Sequence, residues 1–302
     1  MQTLDEEKVT APFSAGQGRT QVRVPAGACD CHVHVYDGRV PAVPGARLMP
    51  PDASLADYRQ LQQRTGTERV VFVTPSTYGT DNRLTCQALA GYGEGSRGVA
   101  VIDEFTGDAE LQMLHAAGVR GIRLNLSLGV ANSPQQLEAL AARAAPYGWH
   151  LQLLAAPDVL AALESRLLQL PVQLVFDHLG RIPPSLARRH PAHRLIHRLL
   201  DAGRAWVKLS GGYIVSEAGP PAYADVAPLA RGYLQAAPER VVWGSDWPHA
   251  SATAGHQPLP DDARQMELLA QWAGNAAALR RVLVDNPAVL YGFDLALHKG
   301  QS

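Results

Sequence analysis

The stretch ACDCHVHV, residues 28–35, decides how the chain is read. It is short, ends in β-branched residues and lies between Gly27 and the turn residues Asp37-Gly38, as a strand would. In an extended strand successive side chains alternate, so Asp30, His32 and His34 are predicted on one face and Cys29, Cys31 and Val33 on the other. The sulfurs then cannot share a ligand sphere with the imidazoles. They read as small apolar fillers against a helix layer. The chemistry is assigned to the histidines, which can converge on one atom at the strand's end.

Seven further apolar runs follow: RVVFVTP (69–75), RGVAVI (97–102), RGIRLNL (120–126), WHLQLLA (149–155), VQLVFDH (172–178), WVKLS (206–210) and RVVWGS (240–245). Helical patterns separate them. DASLADYRQLQQRTG (52–66) offers Asp52 and Ser54 as caps and stops at Gly66. SPQQLEALAARAAPYG (133–148) has Ser133 as cap, Pro134 at the first helical position and Gly148 past the end. DAELQMLHAAG (108–118) and PDDARQMELLAQWAG (260–274) read the same way. Eight strands, each followed by a helix, predict a distorted α/β (β/α)8 barrel with extra C-terminal helices. An open doubly wound sheet is the rival, but no G-x-G-x-x-G follows the first strand. One domain is expected over 25–294, between a flexible arm (1–24) and a tail (295–302).

Composition narrows the function. The 302 residues carry a net charge of −1 and no Lys/Arg-rich block, which disfavours nucleic acid and anionic membranes as partners. No apolar run reaches the roughly 18 residues of a membrane span. The polar, acidic N-terminal stretch does not read as a signal peptide. Three cysteines fit a reducing cytoplasm better than a disulfide framework. A small-molecule enzyme, able to form a homo-oligomer, is the expectation.

Barrel enzymes hold their reactive groups at the C-terminal strand ends. There the sixth run supplies His178, which shares a face with Leu174 and Phe176, and Gly180 for a tight turn. The eighth supplies Asp246; WPHASATAG after it is not a helical pattern, so Asp246 is read as a functional acid rather than a cap. Arg123 and Asn125 share a face of the fourth strand, and a guanidinium near the barrel mouth suits a carboxylate. Lys208 is read as structural, with Asp177 or a substrate oxygen as the partner an ammonium in an apolar strand needs. Ser76, Thr77, Tyr78 and His249 offer hydrogen bonds at the same rim. His115, His190, His193, His197, His256 and His298 are read as surface residues.

DCHVHV, FDHLGR and WGSDWPH, in that order, resemble the amidohydrolase superfamily, and within it the branch of 2-pyrone-4,6-dicarboxylate lactonase, fuconolactonase-type enzymes and galactarolactone isomerase. The likeness runs from about Pro25 to Phe293 and takes in GTDNR (79–83), AAGVRGIRLN (116–125), YGWH (147–150) and LVDNPAVLYGF (283–293). It implies a hydrolase that opens a small carboxylate-bearing lactone from aromatic or sugar-acid breakdown. Asp246 would activate water, with His32, His34 and His178 around the scissile carbonyl and Arg123, Ser76 and His249 toward substrate; Asn125 is added as a substrate contact from the strand-four face it shares with Arg123. Where the dicarboxylate lactonase has further cationic and tyrosine contacts, this chain offers Leu48, Gly129, Leu154 and Ile214, which puts that substrate in question.

Superfamily members with two metals need a bridging group after strand four and a histidine after strand five. Arg123/Asn125 and Gln152/Leu154 do not supply them. One divalent ion such as zinc or manganese, on His32, His34, His178 and Asp246, remains open; the resemblance leans toward no required cofactor. The retained Asp246 favours hydrolysis over lactone isomerisation, whose enzyme carries an amide there. The same residue set also suits a metal-dependent decarboxylase. A non-catalytic barrel that only binds a small molecule would have no need of a general base such as Asp246.

Overall fold

The computed structural model describes residues 9–127 and 132–294. Eight parallel strands run in sequence order around a (β/α)8 barrel: β1 Cys29–Val33, β2 Arg69–Val73, β3 Ser96–Ala100, β4 Val119–Asn125, β5 His150–Leu154, β6 Leu174–Phe176, β7 Ala205–Leu209 and β8 Val241–Trp243. A helix returns the chain after each: α1 Leu55–Thr65, α2 Arg83–Tyr92, α3 Asp108–Ala116, α4 Leu137–Ala144, α5 Pro157–Ala162, α6 Pro191–Asp201, α7 Val226–Ala236 and α8 Asp262–Ala273. Two more, α9 Ala276–Arg280 and α10 Asn286–Tyr291, are joined by a π-turn.

The helix ends follow local chemistry. Ser54 and Asp57 form a reciprocal capping box on α1, and Gly66 closes it in the left-handed region. Of the two caps expected there, Ser54 is the one used. Asp261 caps α8 through the amides of Ala263 and Arg264.

Two apolar layers form. The outward residues of the strands, such as Val70, Phe72, Leu151, Leu174 and Phe176, pack against the helices. The barrel interior holds Cys29, Cys31, Val71, Val73, Val99, Val175, Trp206 and Val242, with Ala288, Tyr291 and Phe293 packed against them. Arg69 and Arg97, at the N-terminal ends of β2 and β3, bond the carbonyls of Asp294, Tyr291 and Gly292, which fixes this plug at the barrel floor.

The cysteines therefore face the barrel interior and not the helix layer, contrary to strict alternation. The cause is a bulge: Asp30 pairs with Val70 but Val33 with Phe72, so β1 carries one extra residue. Cys31 and His32 both turn inward, and Asp30 turns outward. The histidines keep the site and the sulfurs lie beneath it.

The barrel closes without a regular β8–β1 ladder. The amide of Asp246 donates to His32 O and that of His34 to Trp247 O, both at 2.9 Å. Between them Asp30 Oδ1 accepts the amide of Ser245 at 2.9 Å. A Cβ on Gly244 would lie 2.6 Å from His32 Cβ and 2.7 Å from its backbone nitrogen, so this approach requires glycine.

The N-terminal arm departs from expectation within the described residues. Fully buried Arg64 bonds Ser14 Oγ, Ala15 O and Gly18 O, and pairs with Asp261. Trp247 Nε1 donates to Pro12 O, and Phe13 packs edge-on against the indole. Residues 9–24 are thus docked because a buried guanidinium needs their acceptors. Residues 1–8, the tail 295–302 with His298, and Gly129 lie outside the described residues.

Candidate active site

β6 ends at Phe176, two residues short of the expected run, and its alternation points Val175 and Asp177 inward. His178 shares the outward parity with Leu174 and Phe176. It reaches the cup because the chain turns left-handed there, with φ of 49° at His178, 56° at Leu179 and 53° at Arg181. A Cβ on Gly211 would sit 2.8 Å from His178 Nδ1, so a glycine on the neighbouring loop leaves room for the ring. After β8 the chain does the same, with φ of 70° at Asp246 and 59° at His249. Each such residue costs about 1–3 kcal/mol of strain, and such strain gathers at functional sites.

These turns bring the expected residues together. Asp246 Oδ1 lies 3.5 Å from His32 Nε2, 3.7 Å from His178 Nε2 and 3.9 Å from His34 Nε2. The other oxygen, Oδ2, accepts the Tyr213 hydroxyl at 2.6 Å. The rings are supported from behind: His34 Nδ1 bonds Val73 O at 2.7 Å and His178 Nδ1 meets Ser210 Oγ at 2.9 Å. His32 Nδ1 faces Lys208 Nζ and Asp177 Oδ1, each at 3.3 Å.

Burial sets the charge states. It lowers the imidazoles: His34 to about 4, His32 well below its ordinary value, and His178 in the same direction. Burial pushes Asp246 up, but the three rings and the Tyr213 hydroxyl outweigh it and hold the acid down to about 2. Near neutral pH the cup is one carboxylate among neutral imidazoles.

Below it lies a charged layer that the sequence only hints at. Asp177 Oδ2 accepts Arg123 Nε at 3.1 Å and Gln152 Nε2 at 3.2 Å, and Lys208 Nζ lies 3.8 Å from Oδ1. Burial raises the Asp177 carboxyl, yet His32, Arg123 and Lys208 bring it well below its ordinary value. Burial lowers Lys208 to about 8 despite Asp177.

A cavity of about 360 Å³ opens above the cup, with His34, His178, Asp246, Arg123, Ser76 and Asn125 in its wall. Asn125 Nδ2 donates to Ser76 Oγ at 2.7 Å, linking β4 to the turn after β2. Leu48, Leu154 and Ile214 line it as expected, but so do Arg181, Arg47 and His256. His256 is exposed, as read from the sequence, and also stands at the cavity wall. His249 is placed differently from expectation. Its left-handed backbone turns the ring behind the wall, fully buried, with Nε2 3.0 Å from Asp262 Oδ2 and the ring edge-on to Tyr213.

The donor set fits a single divalent ion. Ligand bonds of about 2.0–2.1 Å in a tetrahedron place donor atoms about 3.3 Å apart. His32 Nε2 and His34 Nε2 are 3.2 Å apart, and the distances from Asp246 Oδ1 fall between 3.5 and 3.9 Å. Val73 O behind His34 and Ser210 Oγ behind His178 are supports of the kind ligating histidines use, whereas His32 has the Lys208 ammonium behind it. A second group, His32, Asp177 and His178, draws on a carboxylate already committed to Arg123 and Gln152.

The site thus combines paired histidines at the end of β1, a histidine after β6 and an aspartate after β8 of one barrel. The amidohydrolase family model matches residues 29–293, and the chain belongs to that family. It is 36% identical over 271 residues to D-galactarolactone isomerase of Agrobacterium fabrum, covering 88% of this chain and 91% of the relative. It is 34% identical over 289 residues to 2-pyrone-4,6-dicarboxylate hydrolase of Comamonas testosteroni, covering 92% and 94%. A solved Agrobacterium tumefaciens structure superposes with a TM-score of 0.85 at 34% identity, covering 93% of this chain and 99% of that one. Among the described residues no helix is long and apolar enough to cross a membrane.

Proposed function

We propose that this protein hydrolyses a small carboxylate-bearing lactone, with Asp246 as general base. The observation that carries this reading is the Asp246 carboxylate, ionised near neutral pH and surrounded by three neutral imidazoles, of which His34 and His178 line the cavity and His32 lies just behind it. Asp246 removes a proton from water, and the water oxygen bonds to the lactone carbonyl carbon. An imidazole N–H facing the carbonyl stabilises the oxyanion. The tetrahedral intermediate collapses, the ring C–O bond breaks, and protonated Asp246 returns its proton to the leaving oxygen. Tyr213, bonded to the other carboxylate oxygen, orients the base.

The substrate carboxylate is assigned to Arg123 and Arg181. Arg123 is anchored by Asp177 through Nε. Arg181 lines the same cavity and stands near enough to Asp246 to feel its charge. Ser76 and Asn125 supply neutral hydrogen bonds beside them.

A divalent ion, if bound, would be held by His32, His34, His178 and Asp246 and would polarise the carbonyl as a Lewis acid. The favoured reaction is metal-independent, because Lys208 already occupies a donor position against His32. Decarboxylation is not favoured, since the relatives named above carry lactone names. The isomerase relative leaves ring migration as the neighbouring reaction, and an ionised base opposite the carbonyl suits hydrolysis better. Cytoplasmic residence belongs to the same reading and is supported by three free thiols.

A panel of lactones bearing no, one or two carboxylates, followed by acid release, tests the proposal. Carboxylated lactones should be opened with the higher kcat/KM. Failure to open any carboxylated lactone, with the protein folded, overturns it.

A further inference from the structure

Lys208 is fully buried on β7, and its ammonium meets three acceptors: Cys31 O at 2.8 Å, Gln152 Oε1 at 2.7 Å and His32 Nδ1 at 3.3 Å. An ammonium has three N–H donors and no lone pair, so each contact uses one donor. Gln152 is held in the required orientation, because its Nε2 donates to Asp177 Oδ2 at 3.2 Å. His32 Nδ1 must then accept, and a neutral ring that accepts at Nδ1 carries its proton on Nε2.

The far side of the pair demands the same. Val73 O can only accept, so His34 carries its proton on Nδ1 and its Nε2 is bare. That bare Nε2 lies 3.2 Å from His32 Nε2. Two lone pairs would repel at this distance; a proton on His32 Nε2 makes the contact a hydrogen bond. The rival partner is Asp177 Oδ1, 3.3 Å from His32 Nδ1. That carboxylate also draws a proton toward His32 Nδ1, so Nδ1–H is the competing tautomer, and the spectrum described below distinguishes the two.

We infer that Lys208 is a positioning residue that fixes His32 as its Nε2–H tautomer, so that His32 offers the cup a proton rather than a lone pair. A run of donors then leads from Lys208 through His32 to His34 and Val73 O, with Asp246 Oδ1 3.5 Å from the same His32 Nε2. A bound ion would require the opposite arrangement, with bare Nε2 atoms on both histidines and the His32 proton moved to Nδ1. Lys208 therefore biases the cup toward direct imidazole catalysis. The inference rests on the cup being the reacting site, but its readout is independent of turnover, so the two can fail separately.

The test is a long-range ¹H–¹⁵N correlation spectrum of the chelator-treated, ¹⁵N-histidine-labelled full chain near pH 7. His32 should appear as the Nε2–H form and His34 as the Nδ1–H form; His32 as Nδ1–H in the unaltered protein overturns the inference. Lys208→Met should move the His32 proton to Nδ1 and tighten Zn²⁺ binding, titrated with zinc alone, on the order of tenfold. A Lys208→Met protein that keeps the Nε2–H form removes Lys208 from the role. Should Lys208→Met not fold, Lys208→Arg, which keeps charge and donors, should retain the Nε2–H form, and loss of that form in a folded Arg variant contradicts the role.

Discussion

The Tyr213 hydroxyl donates to Asp246 Oδ2 at 2.6 Å, leaving Oδ1 alone to face the three imidazoles. One carboxylate oxygen is fixed and the other is free to take a proton. Hydrogen bonds to charged groups contribute about 1.5–3 kcal/mol. Tyr213→Phe should therefore lower kcat on the order of tenfold. It removes one of the groups holding Asp246 at about 2, so the acidic limb of the kcat/KM profile should move to higher pH. An unmoved limb would detach Tyr213 from the base.

The two cavity arginines should separate in kinetics and in stability. Arg123 pairs with fully buried Asp177, and removing one partner of a buried pair costs about 3–5 kcal/mol. Arg123→Met should thus lower both Tm and kcat/KM. Among the described residues Arg181 forms no such pair, so Arg181→Met should raise KM for a carboxylated lactone while Tm stays nearly unchanged. Denaturation curves with Michaelis kinetics on both variants check this, and equal loss of Tm in the two would contradict it.

Gly211 adopts φ of +58°, and a Cβ there would press on His178 at 2.8–3.0 Å. Gly211→Ala combines left-handed strain of about 1 kcal/mol with displacement of a ring in the cup. Activity should fall by more than the small loss of stability explains. Normal kcat in this variant would show that the exact seat of His178 is unimportant.

His249 pairs with Asp262 in the interior at 3.0 Å. Burial lowers its imidazole, but Asp262 outweighs burial and the net shift is upward. A raised imidazole contributes stability that is fully present below its unfolded value, about 6.5, and is lost as pH rises through the folded value. Tm should decline across that window. Asp262→Asn should flatten the decline and cost about 3 kcal/mol. A decline that persists in the variant would place its origin elsewhere.

The barrel is legible in the sequence because β-branched runs and capped helices alternate at a period that few other folds share. The site is legible where a residue ends a strand: His32, His34, His178 and Asp246 meet as expected. Side-chain direction is not. The β1 bulge is a property of pairing with β2, which one strand's sequence does not contain, so strict alternation puts the cysteines on the wrong layer. At β6 two apolar faces hide the inward parity of Asp177, though a carboxylate beside His178 is a usable signal. Arg181 follows Gly180 in the same turn and can be found on that ground. Tyr213 comes from a one-turn helix, Gly212–Val215, and His256 from a loop, whose courses no local pattern marks, and His249 is misplaced by pattern alone because a left-handed backbone reverses its direction.

The most direct measurement is single-turnover opening of a carboxylated lactone by Asp246→Asn, alongside its binding to the same protein. The amide preserves size and still accepts from Tyr213 but cannot take a proton from water. Turnover should fall by about 10²–10⁴, the range that general-base loss commands, with substrate Kd changed less than a few fold. Near-normal turnover in that variant would mean that Asp246 is not the base and that the chemistry assigned to this cup is wrong.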